Sequence, residues 1–193
     1  MISDITLWRE DAFVDGRWIG AERFAVTDPA TGETIARMAK LDAAGARSAV
    51  DAAAAAFPAW ALALPQERAA VLHRWFLLLR DSREDLARIM TAEQGKPLSE
   101  SRGEIDYAAS FVEFYAEEAK RPNIESVTSH LSTAEMELWR EPLGVAALVT
   151  PWNFPCAMIT RKAAAALAAG CAVVIHPSAE TPLSATALAE LAH

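Results

Sequence analysis

The residues best suited to chemistry lie in Val149-Thr150-Pro151-Trp152-Asn153-Phe154-Pro155, where one side-chain amide stands between an apolar run and a helix start. The run Gly144 to Thr150 is aliphatic and too short for a helix, so it reads as a strand buried on both faces. Asn153 follows just beyond its carboxyl end. Pro155 suits the first helical position, where its missing N–H costs nothing, and the helix it opens is predicted to stop at Gly170. A strand end facing a helix start is the crevice position in which α/β proteins bind ligands. The residue alone leaves open whether Asn153 caps the helix or faces a ligand. Arg161 lies eight residues later, about two helical turns along, so both side chains could face one cavity. A solvated arginine is the ordinary alternative.

Several elements must position these groups. Phe13-Val14-Asp15-Gly16-Arg17-Trp18 sets Asp-Gly between short apolar runs, which predicts a two-residue hairpin. A second hairpin is expected around Asp28-Pro29-Ala30-Thr31-Gly32, between Phe24 to Thr27 and Thr34 to Met38. Asp42 is placed to cap an Ala-rich helix running to Phe57, where Pro58 should stop it. Pro65 opens the next helix, with Val71, Leu72, Trp75, Phe76 and Leu79 on one face, and a third runs from Ser82 to Glu93 before Gly95. Ile105, Ala108, Val112, Tyr115 and Ala119 have helical spacing within a fourth helix, Ser99 to Lys120.

Residues 121–143 lose that period and read as an extended arm, with Ala134 to Arg140 alternating as a solvated strand would. Strand 144–150, helix 155–169, strand 171–176 and a helix from Pro182 complete a β-α-β-α unit. The fold class is therefore α/β. Its organisation is read as 1–120, hairpins and helices; 121–143, the arm; and 144–193, the start of a Rossmann-like parallel sheet. A two-strand parallel unit leaves long apolar edges that normally continue into further crossovers, so the chain reads as unfinished at His193.

The chain has 193 residues, 52% of them hydrophobic and 23% charged, which is a globular composition. A net charge of -8 argues against a general nucleic-acid surface or an anionic-membrane surface, because both demand a positive field. The Ala-rich segments are broken by Arg, Lys, Pro or Gly within about 18 residues, short of a membrane span. No basic flank followed by an apolar core occurs in Met1 to Glu10, so no secretory signal is read there. Cys156 and Cys171 are the sole cysteines, each in or beside a predicted buried element, which argues against a disulfide framework and fits a reducing cytoplasm. No zinc-ligand spacing joins them to the four histidines, and no G-x-G-x-x-G follows a strand.

Five separated motifs occur in order: Glu93-Gln94-Gly95-Lys96-Pro97-Leu98, Glu141-Pro142-Leu143-Gly144-Val145, Thr150 to Pro155, Met158-Ile159-Thr160-Arg161-Lys162, and Leu167-Ala168-Ala169-Gly170-Cys171. Together they resemble the amino-terminal part of an aldehyde dehydrogenase, most similar to the succinate-semialdehyde dehydrogenase branch. The resemblance implies an NAD- or NADP-dependent oxidation of an aldehyde to its acid. In the family a cysteine thiolate attacks the aldehyde, and the amide matching Asn153 donates to the oxyanion of the resulting thiohemiacetal. Thr150, Pro151, Trp152, His176, Ser178 and Ala179 fall at cofactor-binding positions, and Phe154 borders the aldehyde tunnel. Arg161 matches the arginine that meets the distal carboxylate of a semialdehyde. The arm at 121–143 resembles the oligomerisation segment, implying a homo-oligomer in the complete enzyme.

Two departures stand out. His176 occupies a position where the family usually has a lysine reaching the adenosine ribose or its 2′-phosphate, and histidine is shorter and mostly neutral near pH 7. Ala179 falls where NAD-preferring members commonly carry a glutamate, which leaves the choice between NAD and NADP open. Cys156 reads as a small buried hydrophobe rather than a nucleophile, since the family's nucleophile comes from a distant segment. That cysteine, the general-base glutamate and the glycine turn against the pyrophosphate all lie, in the family, beyond the residue matching His193. The expectation is thus a chain inactive alone, with a non-catalytic module that joins a full-length subunit as the alternative.

Overall fold

In the computed structural model, which describes residues 2–121 and 124–193, a 3-10 turn at Ile5–Leu7 leads into two hairpins. β1 (Ala12–Val14) and β2 (Arg17–Ile19) pair antiparallel across Asp15 and Gly16, whose φ angles of 51° and 70° are the positive pair that a tight hairpin turn demands. β3 (Arg23–Thr27) and β4 (Thr34–Ala39) pair likewise. Four helices follow: α1 (Ala43–Leu62), α2 (Pro65–Asp81), α3 (Arg83–Gln94) and α4 (Leu98–Glu118). Asp42 caps α1 as expected, its carboxylate accepting the Gly45 N–H at 2.9 Å.

Pro58 does not end α1. The helix continues to Leu62, although a proline inside a helix costs about 3 kcal/mol. Tertiary anchoring offsets this: the Trp60 indole N–H donates to the Leu167 carbonyl at 3.0 Å, holding the last turn against the rest of the chain. The following Ala59 and Ala61 also favour helix over any alternative.

The core gathers around α4. Its stripe of Ile105, Ala108, Ala109, Val112 and Ala116 is buried, and α4 packs against α2, α3 and α5. From α2 come Leu72, Trp75, Phe76 and Leu79, and from α3 come Leu86, Ile89 and Met90. Each such large side chain contributes roughly 1.5–3 kcal/mol by leaving water. Val71, expected on the same face of α2, is 39% exposed at the edge of that stripe. Between α3 and α4 the chain reverses at Gly95, where φ is 86° and a Cβ would stand 2.6 Å from Pro29 Cγ. Both the left-handed backbone and the close approach require glycine here.

Within the arm, β5 (Ile124–Val127) pairs antiparallel with β6 (Met136–Trp139), and every residue of both is exposed. Positions 122–123 of the arm lie outside the described residues. β7 (Val145–Val149), α5 (Pro155–Ala168), β8 (Ala172–His176) and α6 (Pro182–Ala192) complete the chain. β7 and β8 are parallel, in register from Val145 opposite Ala172 to Val149 opposite His176. The expectation that β7 is buried on both faces does not hold: Leu148 is buried, but Val149 is 68% exposed and Ala147 is also exposed. α1 packs more closely against β8 than against β7, so β7 is only partly covered. Among the described residues no single helix is long and apolar enough to cross a membrane.

Candidate active site

The parallel register brings the carboxyl ends of β7 and β8 side by side, and the Thr150 N–H extends the ladder by donating to the His176 carbonyl at 3.2 Å. Thr150, Pro151 and Trp152 from one strand end, and His176, Ser178 and Ala179 from the other, therefore line a single edge. Thr150 is buried and Ser178 half-buried, whereas Pro151, Trp152, Asn153, Phe154, His176 and Ala179 are exposed. Apart from Thr150 and Ser178, this is an open shelf of exposed side chains.

Asn153 is one residue too early to cap α5. The cap is Phe154, whose ring accepts no hydrogen bond, and the N–H groups of Cys156 and Ala157 instead donate to Glu104 Oε1 of α4 at 3.0 and 3.3 Å. The helix end is thus satisfied from another element. Among the described residues, no hydrogen bond engages the Asn153 side-chain amide, while its backbone carbonyl accepts from Lys96 Nζ at 3.1 Å. That ammonium also lies 2.5 Å from Glu104 Oε2 and 4.6 Å from the Phe154 ring centroid. The pair is secluded, with side-chain exposures of 10% for Lys96 and 2% for Glu104.

α6 is capped in the same manner. Glu93 of α3 accepts the N–H groups of Leu183 and Ser184, each at 2.7 Å, one on each carboxylate oxygen. Burial pushes the Glu93 carboxyl up to about 8, against the opposing pull of these donors. A helix N-terminus beside a strand end is the usual seat for a phosphate. Here both such termini are filled by internal carboxyl groups, which accords with the absence of a glycine-rich fingerprint after β7.

Sequence reasoning did not assign roles to Glu93, Lys96 or Glu104, although two signals were present. Glu93 continues the buried stripe Leu86, Ile89, Met90 of α3, and Glu104 sits within the stripe Ser101, Ile105, Ala108 of α4. An acid on an apolar face needs a partner. Lys162 was also missed: its ammonium donates to the Val149 carbonyl at 2.9 Å, tying α5 to the end of β7.

Cys156 is fully buried, and burial pushes its thiol well above the usual cysteine range, so it stays protonated and unreactive. Arg161 is exposed on α5, its guanidinium 5.7 Å from the Phe111 ring centroid, and no hydrogen bond joins it to Asn153. The Ser178 hydroxyl donates to Glu180, holding that carboxylate below its usual range. Among the described residues no cluster of three or more His, Cys, Asp and Glu side chains is suited to a metal.

With this geometry in place, comparison with known proteins defines the class: residues 18–193 match the Aldehyde dehydrogenase family, and the chain belongs to it. Its fold is the N-terminal portion of the aldehyde dehydrogenase fold. The glutarate-semialdehyde dehydrogenase of Pseudomonas putida (strain KT2440) is 50% identical over 195 residues, covering 100% of this chain and 41% of that protein. The NADP(+) succinate-semialdehyde dehydrogenase GabD of Escherichia coli K12 is 48% identical, over 99% of this chain and 40% of that protein. Among solved structures, the E. coli NADP-dependent enzyme superposes with a TM-score of 0.98 at 48% identity, over 100% of this chain and 40% of that one. The chain thus spans about two fifths of the length of these relatives.

Proposed function

We propose that this chain supplies the oxyanion donor and the adenosine-facing shelf of an NAD(P)-dependent aldehyde dehydrogenase that oxidises a carboxylated semialdehyde such as succinate semialdehyde. The single observation that carries this reading is the Asn153 side chain. It is exposed at the carboxyl end of β7 and spent on neither capping nor any other hydrogen bond among the described residues, while its backbone is held. A preorganised amide donor of this kind stabilises an oxyanion by roughly 2.7–4 kcal/mol more in the transition state than in the ground state. The semialdehyde substrates of both named relatives support a carboxylated aldehyde, with Arg161 as its cationic partner and Phe154 beside the aldehyde.

The shelf fits the adenosine end of a dinucleotide. Thr150, Pro151, Trp152, His176, Ser178 and Ala179 would hold it, and the group, when bound, accepts the hydride of the aldehyde. Its pyrophosphate must rest elsewhere, because Glu104 and Glu93 occupy the two helix ends nearby. With His176 in place of a lysine and the Glu180 carboxylate close by on Ser178, the shelf offers little to a 2′-phosphate. The β5–β6 ribbon, exposed along its length and carrying Ile124, Val127, Leu138 and Trp139, supports assembly into a homo-oligomer, and the two free cysteines fit a reducing cytoplasm.

The 193-residue chain alone has no buffer-exposed thiol, since Cys156 and Cys171 are both buried, and without a thiolate the aldehyde has no covalent route. Purified as such, it should show no turnover of succinate semialdehyde with either cofactor. Turnover that Asn153→Ala abolishes would overturn this part of the proposal.

A further inference from the structure

The Lys96 ammonium makes three contacts, two of them on the Asn153-Phe154 segment and the third on α4. It donates to the Asn153 carbonyl at 3.1 Å, lies 4.6 Å from the centroid of the Phe154 ring, and pairs at 2.5 Å with Glu104. Glu104 in turn accepts from the N–H groups of Cys156 and Ala157, in the first turn of α5 that follows this segment. The segment between β7 and α5 is thereby gripped at three levels: the Asn153 carbonyl before the helix, the Phe154 ring, and the first N–H groups within the helix. None of these contacts touches the Asn153 side chain. They fix only where its backbone sits.

Burial makes the grip specific. Lys96 and Glu104 are almost wholly screened from water, so neither can lose its partner without leaving an uncompensated buried charge. The turn that aims Lys96 at this point is set by Gly95, with its φ of 86° against Pro29. Gln94 adds to the aim, its side-chain oxygen accepting the Lys96 backbone N–H at 3.0 Å.

We infer that Lys96 is a positioning residue for the oxyanion donor: it clamps the Asn153-Phe154 peptide onto the buried Glu104 and so fixes the distance and direction from which the Asn153 amide reaches the reacting oxygen. This rests on the oxidation proposed above, but the clamp itself is a statement about structure. Lys96 touches no reacting atom. Its effect on rate passes through Asn153.

The test uses the protein at its natural length, with Lys96→Met removing the clamp and Lys96→Arg retaining charge and reach. The first arm reads backbone order at Trp152, Asn153 and Phe154 by 15N relaxation and needs no activity. Order parameters near 0.85 in the parent should fall below about 0.6 in Lys96→Met and recover in Lys96→Arg. Unchanged order in Lys96→Met overturns the inference. Should Lys96→Met fail to fold, Lys96→Met with Glu104→Gln strands no buried carboxylate and is read in the same way.

The second arm reads kcat for succinate semialdehyde. Lys96→Met should lower it roughly 10- to 100-fold, with KM for either substrate changed less than about threefold, as expected for a misplaced donor. In an Asn153→Ala background the same substitution should add nothing, because the donor it positions is gone. A full additional loss there marks a merely structural lysine and overturns the inference. Absence of aldehyde oxidation in the parent would instead count against the proposed function, with the first arm still deciding the clamp.

Discussion

Removing Glu104 is the sharpest perturbation of the packing that supports the site. Its carboxylate is 2% exposed and makes three bonds, to Lys96 Nζ at 2.5 Å and to the N–H groups of Cys156 and Ala157 at 3.0 and 3.3 Å. Glu104→Ala leaves a buried ammonium without its counter-ion and a helix end without its acceptor. Breaking a buried pair from one side costs about 3–5 kcal/mol, because the surviving charge stays desolvated. For a chain of this size, each kcal/mol moves the midpoint by about 2–4 °C, so a fall of roughly 6–20 °C is expected. Urea unfolding followed by far-UV circular dichroism measures the loss directly. Glu104→Gln should cost less, since its amide oxygen still accepts an N–H. The double variant Glu104→Leu with Lys96→Met should also cost less than Glu104→Ala alone, as neither charge is stranded. A loss below about 1 kcal/mol for Glu104→Ala, the range of an exposed pair, would refute the reasoning.

Two further outcomes follow from the same geometry. Glu93 is pushed from an ordinary value near 4.5 up to about 8, so between those limits the folded chain holds a proton that the unfolded chain has released. Stability from this group is therefore lost as pH rises through that window, by at most about 1.4 kcal/mol per pH unit, and Glu93→Gln should flatten the dependence. Urea midpoints at pH 5 and pH 8 for both proteins decide it, and an unaltered slope in Glu93→Gln contradicts it. Arg161→Gln, in the natural-length protein, should reduce kcat/KM for succinate semialdehyde roughly 10- to 100-fold through loss of a charge-assisted bond. An uncharged aldehyde of similar length should be nearly unaffected, and equal losses for both would remove Arg161 from the substrate.

Much of this architecture was legible in the sequence because local rules and tertiary packing agree. Asp15-Gly16 makes its hairpin, Asp42 caps α1, Gly95 ends α3 and Pro155 opens α5, each through backbone chemistry confined to a few residues. Pro58 misled because its local penalty is offset by Trp60 bonding to a carbonyl 107 residues away, which no window along the chain contains. β7 misled because an apolar run does not say which faces its neighbours cover. At the site, the two strand ends were readable from the β-α-β pattern, whereas the roles of the residues on them came from the family resemblance alone. The roles of Glu93 and Glu104 were not readable, since each caps a helix that begins 50 or more residues later in the chain. Buried acids on apolar stripes were the available signal, and only the packing names their partners.

The central claim is that the Asn153 amide is an oxyanion donor held at the carboxyl end of β7. Steady-state kinetics of Asn153→Ala in the natural-length protein, with succinate semialdehyde and saturating cofactor, test it most directly. The account predicts a fall in kcat of roughly 10²- to 10³-fold with cofactor affinity unchanged. A kcat within about threefold of the parent, the size expected of a side chain that gives no preferential help to the transition state, would contradict it.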